Sequence, residues 1–133
     1  MARKYSTDLK NDRLQQNIDR ADAGVGVAVI KICDGAEPAF GGALTNVLAT
    51  IPMNDPSWNA PSGGQILLNG TPKDTNATGG GSPATWYVVE DSAGVRVEQG
   101  SAGESGTDLI ISSANISNGD EVTALTFTIT HGN

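Results

Sequence analysis

The sequence predicts a mainly β fold: an antiparallel β-sandwich or a small jelly-roll-like barrel carrying one N-terminal α-helix. Three observations predict it. Short stretches alternate apolar and polar residues, which is the period of a half-buried strand. Seventeen glycines, with Asp34-Gly35, Asn69-Gly70 and Asn118-Gly119 among the punctuation, mark frequent turns. Only one stretch, near the N-terminus, has a helical period. About seven short strands separated by such turns suit a sandwich or barrel. The chain has 133 residues, enough for one domain with a real core. Trp, Tyr and Phe occur twice each, so Val, Ile, Leu and Thr must fill that core, a mixture that favours strands.

Residues 7–22 read as the helix. Ser6 or Thr7 can cap it, and Asp8 in the first turn complements the helix dipole. Leu14, Ile18 and Ala21 fall at i, i+4 and i+7, a narrow apolar stripe, with Leu9 off it. Such a helix needs a surface to lie on, either its own sheet or a neighbouring subunit. Gly24 is a plausible stop. The chain therefore divides into residues 1–24, an arm with an amphipathic helix, and residues 25–133, a single β-sandwich domain.

Val25 to Ile32 is apolar on both faces until Lys31 and predicts a strand covered on both sides. Leu44 to Ile51 predicts a second strand, ended by Pro52, and Gln65 to Leu68 a short third. Between them Trp58 is placed to plug one end of the core. Residues 70–83 lack apolar periodicity and predict a long polar loop, mobile or in contact with something. The clearest stretch runs from Ala84 to Ile111. Trp86 and Val88 point one way, Thr85, Tyr87 and Val89 the other; Ser92-Ala93-Gly94 turns the chain. Val95 and Val97 return on one face, Arg96 and Glu98 on the other, followed by a Gly/Ser loop and a third strand. In the last strand Leu125, Phe127 and Ile129 share one face and Thr126, Thr128 and Thr130 the other.

The net charge of −7 argues against a basic face for DNA or RNA and against anionic membranes. Cys33 is the sole cysteine, so no intrachain disulfide forms. The charged N-terminus has no apolar signal region, and the run Val25–Ile30 is far short of the roughly 20 residues of a membrane span. No signal peptide and no membrane partner are expected.

Catalytic chemistry has little to stand on. His131 is the single histidine and lies at the C-terminus, where no Ser-His-Asp frame can be built. Gly103-Glu104-Ser105-Gly106 has neither the spacing nor the strand-to-helix setting of a nucleophile elbow. Asp34 with Glu37, or Glu90 with Asp91, lack the spacing of a calcium loop and read as turn carboxylates. Gly24-Val25-Gly26 lacks the rest of a dinucleotide loop. No catalytic, metal or cofactor residue is assigned, and no enzyme activity is expected. Trp58, Trp86 and Tyr87 could form a stacking platform for sugars, although with so few aromatics in the chain core packing is the favoured reading.

Several segments together resemble a family of small virion structural proteins of tailed bacteriophages. They are Ser6-Thr7 followed by Leu9-Lys10-Asn11; Ile32-Cys33-Asp34-Gly35 before Pro38; Leu48-Ala49 before Asp55-Pro56; and the run TWYVVEDSAGVRVEQGSAGESGTDLII. Asn115-Ile116, Gly119 and the Thr-rich closing strand complete the set. The resemblance implies a non-enzymatic virion component without cofactors, made in the bacterial host cytoplasm. A capsid decoration (cement) protein is the leading expectation, bound to the assembled shell through residues 1–22. Its partner-binding residues would be Leu9, Leu14 and Ile18, laid across a neighbouring subunit. The partners implied are the major capsid protein or portal, neck or tail proteins, with self-association into a homo-oligomer and no direct contact with nucleic acid. A neck, collar or tail-ring component is the close alternative; a carbohydrate-binding module is the more distant one.

Overall fold

A computed structural model describes residues 3–80 and 82–132. The extreme ends of the predicted arm and domain, and one residue of the predicted loop 70–83, lie outside the described residues. Among the described residues one helix, α1 (Thr7–Ala21), precedes eight strands. They are β1 (Val29–Asp34), β2 (Val47–Pro52), β3 (Gln65–Leu67), β4 (Lys73–Asp74), β5 (Ala84–Glu90), β6 (Arg96–Gly103), β7 (Leu109–Ile111) and β8 (Val122–Thr130). The sheet order is β2-β1-β5-β6-β7-β8-β3, with β4 also on β8. The sheet curls into a half-barrel, so the fold is mainly β with one N-terminal helix, as expected. One pairing departs from an antiparallel sheet: β6 and β7 run parallel, Ala102 opposite Leu109 and Gly103 opposite Ile110.

The helix begins where its cap is. The Ser6 hydroxyl accepts from the Leu9 N–H at 3.2 Å, Asp8 lies in the first turn and Arg20 in the last. Its stripe of Leu14, Ile18 and Ala21 is buried in the same core as the strands. Leu14 and Ile18 were expected on a neighbouring subunit; the structure corrects this. The curled sheet leaves its concave side uncovered, and the chain's own helix supplies the missing apolar surface. Only Leu9, off the stripe, stays on the outside, 39 % exposed. Polar ties fix the helix: the Asn11 amide oxygen accepts from Gly64 N–H at 2.9 Å, and the Asp22 carboxylate from Ser57 N–H at 3.2 Å. Within the predicted arm, α1 is thus not separate from the β domain, because its apolar stripe shares the barrel's core.

The first strand starts later than predicted. Val25 is fully exposed, and pairing begins only at Val29. Gly24, at φ +93°, passes so close to Ser92 that a Cβ there would lie 2.2 Å from the hydroxyl oxygen. The segment before Val29 is therefore shaped by its approach to the β5–β6 turn, and its valines are left outside. Once in the sheet, β1 alternates. Ile30 and Ile32 enter the main core, while Cys33 joins Trp86 and Val88 in a second, smaller core on the opposite face. Residues 35–46 fold over that smaller core. Arg96 donates to Gly42 O at 2.9 Å and Gln99 to Pro38 O at 2.8 Å, while Leu44 packs beneath.

Two bulges reset the expected faces. Val89 lies opposite Glu98 but Glu90 lies opposite Arg96, so Val97 has no partner residue. Residues opposite one another share a face. Arg96 therefore shares with Glu90 the face of the smaller core, and Glu98 turns to the main-core face with Val89; the predicted common face for Arg96 and Glu98 is broken. On β8, Thr126 lies opposite Ile110 and Ala124 opposite Ile111, which leaves Leu125 as the extra residue. Leu125 was expected beside Phe127 in the core; it is 48 % exposed instead, while Val122 and Ala124 are buried.

The predicted polar loop closes the half-barrel. β4 pairs with β8, Asp74 opposite Val122. The Asp74 carboxylate accepts from Thr50 N–H on β2 at 2.9 Å, the Thr78 hydroxyl donates to Val47 O at 2.8 Å, and Gly79 N–H donates to Leu48 O at 2.9 Å. Ala77 is fully buried. Residues 70–80 form a strap between β2, at one edge of the sheet, and β8.

Candidate functional site

The other side of the barrel is not closed in this way. β7 is three residues long and pairs β6 only at Ala102 and Gly103. Below that point β6, from Arg96 to Ser101, is paired to β5 alone, and β8, from Thr128 to Thr130, to β3 alone. A cleft of about 330 Å³ opens between them, lined by Tyr87, Glu98, Gln99, Asp108 and residues 127–130 of β8.

Its inner wall is aromatic. Tyr87 meets Phe127 edge-on at 5.0 Å between ring centroids, and Phe127 meets Trp58 at 5.2 Å. The Trp58 N–H is satisfied by Phe127 O at 3.3 Å. Gly100 sits against the Tyr87 ring, where a Cβ would come within 2.9 Å of Tyr87 and 2.7 Å of Asp108. The Tyr87 hydroxyl then reaches across and donates to Glu98 Oε2 at 2.8 Å. Glu98 Oε1 is buried and has no hydrogen-bond partner among the described residues. Asp108 borders the cleft from the start of β7, held by Ser101, whose N–H and hydroxyl both donate to Oδ2 at 3.0 Å.

Burial pushes the Glu98 carboxyl up to about 7, against the pull of the Tyr87 hydrogen bond, and the Asp108 charge pushes the same way. Tyr87 is driven upward, first by burial and then by Glu98. A carboxyl that titrates near neutrality beside a phenol, in a cleft, is a group poised to exchange a proton or to accept a donor. This pair escaped sequence reading. The one available signal was Gly100, directly opposite Tyr87; nothing in the alternation of residues 95–98 announces the bulge that turns Glu98 inward.

Of the residues singled out from sequence as candidates, Tyr87 lies at this cleft and the others do not join it. Leu14 and Ile18 are in the core and Leu9 is on the outside of α1. Trp58 and Trp86 are fully buried and Tyr87 nearly so, which removes the sugar-stacking platform proposed for them. Asp34 accepts from Asn46 and Ser82, contacts that hold its carboxyl below the usual range, the Asn46 side chain foremost. Glu90 pairs with Lys31 at 2.9 Å, and Asp91 caps its own turn by accepting from Ala93 and Val95 N–H at 2.9 Å. Burial and the neighbouring Asp34 push the Cys33 thiol up to about 11, away from reactivity. His131 ties the C-terminal end to the helix, edge-on to Tyr5 at 5.7 Å and 3.4 Å from Arg13. Among the described residues, no three His, Cys, Asp or Glu side chains gather as a metal site, and no helix is long and apolar enough to cross a membrane.

Fold and site together define a small curled β-barrel, strapped on one side and cleft on the other. No protein-family model, no curated protein and no solved structure matches the chain.

Proposed function

We propose that the protein is a non-enzymatic structural component of a tailed-bacteriophage virion, and specifically a decoration protein that binds the assembled capsid. The family resemblance set out above motivates the reading. The structural observation that supports it is a rim of exposed apolar side chains at one end of the barrel. Val25 is fully exposed, Phe40 is 65 % exposed and Val95 is 60 % exposed. They share that end: Gly24 and Gly26 rest on Ser92 in the turn that carries Val95, and the next residue, Arg96, places its guanidinium 6.0 Å from the Phe40 ring. Clustered apolar exposure of this kind marks an association surface. Since Leu14 and Ile18 are internal, the attachment surface in this reading is the rim and not the helix stripe.

The mechanism is mass action. A protein that binds the assembled shell and not its free subunits stabilises the shell at every occupied site. Mass spectrometry of purified virions against the major capsid protein tests it. A fixed, large fraction of a copy per capsid subunit is expected. A ratio lower by one to two orders of magnitude would move the protein to the neck or tail, and absence from particles would end the virion reading. Val25→Asp, Phe40→Asp and Val95→Asp together, all at exposed positions, are expected to abolish cosedimentation with capsids while the chain stays folded.

A further inference from the structure

We propose that the gap between β6 and β8 is a recognition site for a primary ammonium group, the end of a lysine side chain offered by a partner protein. The inference does not depend on where the protein resides.

The cleft is a place in the barrel wall where a strand is missing on both sides. β6 and β8 each leave one backbone edge unpaired there, so carbonyl oxygens are available as acceptors. The side chains add acceptors. Glu98, which lines the cleft, brings Oε1, a buried oxygen with no hydrogen-bond partner among the described residues. Asp108 adds a second carboxylate whose Oδ2 alone is committed, to Ser101. The lining contains no Lys or Arg, and the chain carries −7 overall. Charge complementarity therefore calls for a cation.

The pattern of committed oxygens chooses which cation. A guanidinium binds best through a fork that takes both oxygens of one carboxylate. Here Tyr87 occupies Oε2 of Glu98 and Ser101 occupies Oδ2 of Asp108. Each carboxylate has, among the described residues, one oxygen without a partner, one on β6 and one just before β7, which suits a point donor with three N–H bonds. The titratable groups around Glu98 are few. Tyr87 faces it from β5 and Asp108 from the start of β7; Glu37 acts on Tyr87 from the 35–46 loop, and β8 presents only Thr128 and Thr130 among its polar side chains.

The test uses the full chain and two probes, Nα-acetyl-lysine methylamide and its uncharged norleucine counterpart, followed by amide NMR shifts. The lysine probe is expected to shift the N–H signals of Gly100, Ser101, Thr128 and Thr130 saturably, and the norleucine probe not to. Binding to ionised Glu98 should be about tenfold tighter at pH 8 than at pH 6, as follows from a carboxyl titrating near 7. Glu98→Gln should lose both the binding and its pH dependence, with its own spectrum confirming an intact fold. Equal shifts with norleucine, unchanged binding in Glu98→Gln, or tighter binding of an arginine analogue would each overturn the assignment.

Discussion

The barrel has two weak places in its wall, and they are handled in opposite ways. At one, the edge strand β2 and the interior strand β8 are bridged by residues 70–80, which bring their own backbone. β4 pairs β8, Thr50 N–H and Leu48 O find partners in the strap, and Ala77 is sealed beneath it. At the other, between β6 and β8, no chain arrives. The opening is backed by the Tyr87 ring and floored by a carboxyl with a free oxygen. Backbone pairing seals a wall without residual polarity. A side-chain plug leaves an unsatisfied acceptor, and with it a group whose charge responds to pH.

The strap is where a single methyl should do most damage. Gly79 lies at φ +56°, and a Cβ there would lie 2.4 Å from the Ser117 carbonyl carbon and 2.6 Å from Asn118 N. Those atoms are backbone and cannot turn aside. Gly79→Ala is expected to cost about 3 kcal/mol, from overpacking joined to an unfavourable φ. Urea unfolding monitored by tryptophan fluorescence measures it. A loss under about 1 kcal/mol would mean that the strap is not part of the cooperative unit.

The cleft should show itself next, through pH. Glu98 has a folded value of about 7 against an ordinary 4.5. Between those limits the unfolded chain gives up its proton while the folded one keeps it. The group therefore adds most stability below pH 4.5, loses it as pH rises to 7, and is flat beyond. The change is on the order of 2–3 kcal/mol. Glu98→Gln should remove that slope, so the variant should gain on the parent by this amount from pH 4.5 to 8. Parallel stability curves for the two proteins would refute the buried-carboxyl picture. Asp34, whose carboxyl is held low by Asn46, works with the opposite sign: its contribution is present above the ordinary value and lost in acid.

The sequence was informative about the strap and cleft in unequal measure. The flanking elements were legible: the helix over 7–22 against an observed Thr7–Ala21, the strand from Ala84, and the short strand from Gln65. Capping, alternation and turn residues are local signals, and they govern those elements. The strap was read as a polar loop because what orders it is distant: its partners, β2 and β8, lie some thirty residues before and fifty after it in the chain, at Leu48 and Val122. The cleft was invisible for a sharper reason. A bulge adds one residue and inverts every face beyond it, so Glu98 and Leu125 each reversed their expected side. The parallel β6–β7 pair left β7 too short to fill the wall, and periodicity does not report the direction of pairing.

Gly100→Ala repeats the strap substitution on the cleft side and sharpens the contrast. The added methyl would meet Tyr87 and Asp108 side-chain atoms at 2.7–2.9 Å, not backbone. Side chains can shift by tenths of an ångström, so the expected cost is smaller, about 1–2 kcal/mol. The shift would move Tyr87 against Glu98, so the pH slope should change along with the stability. A cost equal to that of Gly79→Ala would show that the cleft wall is as rigid as the strap.

Asp74→Asn is the mildest test. It keeps the size and one acceptor oxygen for Thr50 N–H, now 2.9 Å away, but removes the charge. Asp74 also accepts from Asn76 N–H at 2.9 Å, so the carboxylate serves two donors at the point where the strap meets β2. Charge-assisted bonds are stronger than neutral ones, and the loss should be about 1 kcal/mol. Faster amide exchange at Thr50 and Asn76, with Glu98-dependent behaviour unchanged, would show that the two walls are energetically separate. If the cleft's pH slope also moved, the strap would be holding β8 in the position that keeps the cleft open, and the two weak places would be one coupled system.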